Sequence, residues 1–159
     1  MQSGRDYTKI ALSEDDGSCR DINFVAPDPL RLMDFLENLL PQFGVVRGRT
    51  WSGDEFSGAG PNGAYVYYQS TGNVRLVLGA GRGLISDLQV FLFREKDGSL
   101  FIELTFFPEA IQGDRSVERF VELVARWKSI LRAEKVYSRY ECASWDLEHG
   151  DTDDVFWVG

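Results

Sequence analysis

Histidine is almost absent from this chain, His149 being the single one. Metal motifs that need two histidines, such as HExxH, are thereby excluded. A Ser-His-Asp arrangement would have to use His149, and no G-x-S-x-G elbow stands elsewhere to serve it. Cysteine is nearly as scarce. Cys19 and Cys142 lie far apart and form no CxxC pair, so neither a thioredoxin-like redox motif nor a zinc ribbon is present. Two reduced thiols are the expectation for a cytoplasmic protein. Basic residues are also in deficit: Lys plus Arg is 17 against 25 Asp plus Glu, a formal charge of −8. Nucleic-acid binding and docking on anionic membrane both need clustered Lys and Arg, so neither is expected. No apolar run approaches the ~18 residues of a membrane helix. The N-terminal stretch lacks a basic segment followed by an apolar one, so no secretory signal is read and a cytoplasmic location is expected.

What is present is enough for a core. The chain has 159 residues, 43% of them hydrophobic and 13% aromatic, and one domain spanning 1–159 is expected. Residues 6–12 alternate weakly and read as a strand, with 20–25 returning as its hairpin partner. Asp28-Pro29 opens a helix over about 28–41, Asp as N-cap and Pro at the first position. Leu32, Phe35, Leu36, Leu39 and Leu40 follow at helical spacing. Residues 44–51 read as a strand. Residues 64–68 and 74–78 read as a hairpin across a Ser-Thr-Gly-Asn turn, with a glycine loop at 79–83. Strands near 86–94 and 99–107 flank a tight turn at Lys96-Asp97-Gly98-Ser99.

Residues 114–134 form the best helix, with Val117, Phe120, Val121, Val124, Trp127, Lys128 and Leu131 on one stripe and Asp114 or Ser116 as cap. Two or three closing strands follow, at 136–140, 143–147 and 155–158. Strands and helices segregate rather than alternate. The expected class is α+β: a mostly antiparallel sheet with two helices, about 28–41 and 114–134, packed on one face.

Gly58-Ala59-Gly60-Pro61-Asn62-Gly63 matches G-x-G-x-x-G in letters. A dinucleotide site needs a helix after the motif, and a strand is expected there, so the segment reads as a loop. The Gly79–Gly83 loop lacks the GK[ST] ending of a phosphate loop. Paired carboxylates such as Asp54-Glu55 carry almost no signal, because sequence neighbours do not by default converge on one substrate atom. No catalytic residue, metal site or cofactor is therefore assigned. The stretch 146–154 holds Asp146, Glu148, Asp151, Asp153 and Asp154 with no Lys or Arg. It reads as a solvated turn, as a docking patch for a basic protein, or as a divalent-cation site. Trp51, Tyr137, Tyr140, Trp145 and Trp157 lie beside polar residues, where aromatic side chains serve either as edge-of-core packing or as interface anchors.

From Leu100 onward the chain resembles the immunity proteins encoded beside secreted polymorphic toxins in bacteria. The closing segment of such proteins is similar to R-Y-E-x-x-S-W-x-x-G-D. Arg139, Tyr140, Glu141, Ser144 and Trp145 match it as they stand, and Gly150-Asp151 follow two residues later. The resemblance implies a non-catalytic protein that binds and neutralises a cognate toxin in the cytoplasm. The expected partner is a protein toxin with a basic surface. Nucleic acid and membrane are not expected partners, and the chain itself is read as a monomer or weak homodimer. The residues expected to bind are Trp145, Asp146, Glu148, Asp151, Asp153, Asp154, Tyr140 and Trp51. An adaptor or chaperone for a secretion effector is the alternative. An enzyme using the acidic stretch and His149 is a more remote one.

Overall fold

The computed structural model describes residues 9, 11–13, 17–49, 55–57, 60–140 and 155–159. The class is α+β, built on one antiparallel sheet. In chain order the elements are β1 (Arg20–Val25), α1 (Leu32–Leu39), β2 (Phe43–Arg49), β3 (Glu55–Ser57), α2 (Pro61–Thr71), β4 (Asn73–Gly81), β5 (Leu88–Arg94), β6 (Leu100–Phe106), α3 (Ser116–Leu131), β7 (Lys135–Tyr140) and β8 (Val155–Val158). The eight strands lie in the order β3-β2-β4-β5-β6-β1-β7-β8. Each neighbouring pair is antiparallel.

Alternation in the central strands sets the layers. Val74, Leu76 and Leu78 of β4, Leu88, Val90 and Leu92 of β5, and Leu100, Ile102, Leu104 and Phe106 of β6 are all buried. Side chains two residues apart share a sheet face, so these three rows form one apolar surface. The helices pack on it. Leu32, Phe35, Leu36 and Leu39 of α1 and Phe120, Val124, Trp127 and Leu131 of α3 belong to the same buried cluster. Phe35 meets Phe24 and Trp127 edge-on, at 6.2 and 6.0 Å between ring centroids, and Phe120 meets Phe106 at 4.9 Å. Each such side chain contributes about 1.5–3 kcal/mol when fully buried.

Asp28 caps a 3-10 turn that precedes α1 rather than the helix itself, whose own N-cap, Arg31, makes no side-chain cap bond. Leu30 N–H donates to Asp28 Oδ1 at 3.0 Å, and Pro29 opens a 3-10 turn leading into the helix. The turn between β5 and β6 closes with Gly98 at φ +87 and Ser99 N–H donating to Asp97 Oδ1 at 2.9 Å.

Four expectations are corrected. Residues 64–68 are not a strand: they lie inside α2. Pro61 sits at its first turn, where no N–H is needed, and Gly72 ends it at φ +75 with its N–H on Tyr68 O at 2.8 Å. Ala64 and Tyr68, four apart, are its buried residues. Among the described residues α2 and the helical segment at 11–13 thus join α1 and α3 in the helical layer. Residues 11–13 are helical, so the hairpin with 20–25 does not form, and β1 pairs with β6 and β7 instead. Neither Asp114 nor Ser116 caps α3: Arg115 occupies the cap at φ +51 with no side-chain cap bond. Gly79 and Gly81 are strand residues of β4 rather than a loop. A Cβ on Gly81 would stand 2.0 Å from Ile85 O, so the following turn folds back at a distance only glycine permits. The expected strand at 143–147 lies outside the described residues.

Candidate interaction face

The second face of the sheet carries no described helix. Its residues follow from the register. One row across the strands runs Arg47, Val77, Gln89, Thr105, Asp21 and Arg139. The next runs Glu55, Arg49, Arg75, Phe91, Glu103, Asn23, Tyr137 and Val158. A third pairs Asn73 with Phe93 and Phe93 with Phe101. None of the apolar residues in these rows belongs to the core cluster or packs against it as a partly buried neighbour. Phe91 instead lies 6.4 Å from Phe93, stacked, and 6.3 Å from Phe101, edge-on. The face has its own aromatic centre, half-buried with no described helix over it.

On either side of that centre the chemistry differs. Across β6, β1 and β7 it is polar and buried. Thr105 Oγ1 donates to Asp21 Oδ1 at 2.8 Å, Asn23 Nδ2 donates to Glu103 Oε2 at 3.0 Å, and Arg139 Nη2 stands 3.7 Å from the same Glu103 oxygen. Arg139 is fully buried and Asp21 nearly so, and charges removed from water in this way must be paired. Burial pushes the Tyr137 phenol above its ordinary value, against a smaller opposing pull from Arg139. Across β2 and β4 the face is exposed and basic. Arg47, Arg49 and Arg75 stand beside Val45 and Val77, which are 42% and 43% exposed. Arg49 pairs with Glu55, and Arg75 donates to Gln89 Oε1.

A cleft of about 370 Å³ opens at one end of this face, lined among others by Val77, Asp87, Gln89, Thr105, Phe107 and Glu109. Asp87 accepts from Ser86 Oγ at 2.8 Å.

Of the residues expected to bind a partner, Tyr140 is the one the structure describes. It is half-buried at the margin of the core, with the Arg20 guanidinium 4.5 Å over its ring. Trp51, Trp145, Asp146, Glu148, Asp151, Asp153 and Asp154 lie outside the described residues, as does His149. Trp157, also read beside polar residues, is half-buried against the core. Among the described residues no group of three His, Cys, Asp or Glu side chains is placed to hold a metal ion. No described helix is long and apolar enough to cross a membrane. The expected loop at G-x-G-x-x-G is corrected in part: α2 begins inside the motif, at Pro61, so the expectation of a strand after it no longer argues against a phosphate site. Pro61 still removes one N–H from that helix start.

The arginine sector was missed in the sequence although its signal was present. Arg47 and Arg49 alternate with Val46 and Gly48, which puts both guanidinium groups on one face of a strand.

No family model matches the chain, and no curated protein matches it. A solved structure does. The chain is similar to one from the 1.75 Å crystal structure of the toxic C-terminal tip of CdiA from Pseudomonas aeruginosa in complex with immune protein. The superposition has a TM-score of 0.57 and 13% sequence identity, and covers 89% of this chain and 94% of the other. At that identity the likeness is one of fold.

Proposed function

We propose that this protein binds a cognate antibacterial toxin and neutralises it by contact, without catalysis. The observation that carries the reading is the fold likeness over nearly the whole of both chains to a component of a toxin–immune protein complex. The match of Arg139, Tyr140, Glu141, Ser144 and Trp145 to the immunity-protein pattern supports it independently. The partner is a protein toxin with a basic surface acting in the cytoplasm, where a chain of charge −8 would meet it at an increased rate. Trp145 and the 146–154 carboxylates, with Tyr140 and Trp51, are proposed contacts.

The test is expression in a bacterial host, alone and with the product of the adjacent gene. Alone, the chain should leave growth unchanged. The neighbour alone should arrest growth, and co-expression should restore it with the two proteins co-purifying. A harmless neighbour or absent rescue contradicts the proposal, and growth arrest by this chain alone places it on the toxin's side.

An adaptor role has one observation in its favour, the exposed Val45, Val77 and Phe107 on the sheet face that carries no described helix. A stable dimer that captures an unfolded effector segment would favour it.

A further inference from the structure

We propose that Arg47, Arg49 and Arg75, set around Val45 and Val77 on the sheet face that carries no described helix, form a docking surface for an acidic, apolar-edged segment of a partner protein. The proposal deepens the reading of the protein as a binder and rests on it.

The arginine cluster carries a local cost. Arg49 and Arg75 stand directly opposite one another on adjacent strands, and Arg47 is the next residue along on the same face. Like charges in direct cross-strand register destabilise a sheet. Within the sector, three positive charges face one negative one, Glu55, in a chain whose total is −8. Arg47, exposed, has no ion-pair partner among the described residues. A cluster that opposes both its own strand pairing and the charge of the whole chain is explained by an anionic occupant.

The apolar residues beside the arginines select the class of occupant. Val45 lies diagonal to Val77, both more than two-fifths exposed, and Phe91 stands opposite Arg75. Phosphates have no use for valine, whereas a protein segment that alternates carboxylates with apolar side chains would satisfy both kinds of group. Guanidinium groups take carboxylates through two parallel hydrogen bonds. A polyanion as long as nucleic acid would also meet the net negative charge of the molecule. At the other end of Val77 the sign reverses, with Asp87 and Glu109 in the cleft. Opposite charges along one strip fix the direction in which a segment can lie.

The test uses the 15N-labelled full chain and two-dimensional amide spectra. The probe is a short poly-glutamate peptide flanked by leucines. A lysine version of it and a single-stranded oligonucleotide are the comparisons. The glutamate peptide should shift amides in 45–49, 75–77 and 89–91, and the lysine peptide should not. R47E/R75E should weaken the shifts about tenfold or more. Its unfolding midpoint should be unchanged or higher, because Glu at 75 faces Arg49. A residue that only held the fold would lower the midpoint. No shift in this sector, shifts that persist in R47E/R75E, or tighter binding of the oligonucleotide would each overturn the proposal. Growth rescue reads the other hypothesis separately. Lost rescue with intact shifts removes the toxin and leaves the surface, and the reverse result removes the surface alone.

Discussion

Trp127 has an apolar body and one polar atom, and both find partners. The ring is fully buried against Phe35, and its Nε1–H donates to Asn38 Oδ1 at 3.1 Å, tying α3 to α1. Trp127→Phe keeps an aromatic ring but removes that bond and part of the volume. The variant should lose about 1–3 kcal/mol of stability, read as a lower denaturant midpoint at unchanged slope. An unchanged midpoint would mean the two helices are held without it. At this scale the sequence was legible where a side chain acts on its near neighbours or lies on a clear periodicity. Asp28 caps the 3-10 turn as its position beside Pro29 implies, and Trp127 sits on the stripe that its spacing predicts. It was illegible where backbone conformation decides. Arg115 holds φ +51, a region non-glycine residues seldom adopt, and so displaces the capping position expected of Asp114 or Ser116.

Element by element, the instructive case is α2. Tyr65-Val66-Tyr67-Tyr68 is β-prone by composition, yet it is helical. Composition states which residues fit a half-buried pleated surface, and here the punctuation outweighs it. Pro61 and Gly72 start and stop a helix, and Ala64 and Tyr68 supply a buried pair at helical spacing. Val66 is 62% exposed, so its contribution is almost wholly conformational. Val66→Ala should therefore stabilise the protein by about 0.3–0.7 kcal/mol, since alanine has the higher helix propensity. A loss of stability would be the signature of a strand. The strands β4, β5 and β6 were legible for the opposite reason. Their apolar runs lie between clear turn signals, burial alternates along them, and a shift of one residue would turn every core side chain to the outer face.

For the whole molecule, the sheet has two faces with different duties. One carries the helices and the core. The other carries an aromatic centre, a buried polar sector around Glu103 and an exposed arginine sector, with no described helix over it. The class α+β and the position of the helices on one side followed from the segregation of strands and helices along the sequence. The identity of the second face did not, because it is set by register. Residues as distant as Arg49, Arg75 and Phe91 become neighbours only once the strands are paired. Net charge misled here too, since −8 describes the chain and conceals a basic sector within it.

The central proposal is that this protein neutralises a toxin by binding it, and the part taken by the arginine sector is read in the same measurement. Titration calorimetry against the purified product of the adjacent gene tests it most directly. Three forms of the protein are compared: wild type, R47E/R75E in that sector, and R119E/R126E on exposed positions of α3, which carries the same change in charge. Wild type and R119E/R126E should bind with equal affinity, and R47E/R75E should bind about tenfold weaker or worse. No binding by the wild type would contradict the central proposal, and equal binding by all three, or a loss confined to the α3 variant, would remove the arginine sector from the contact.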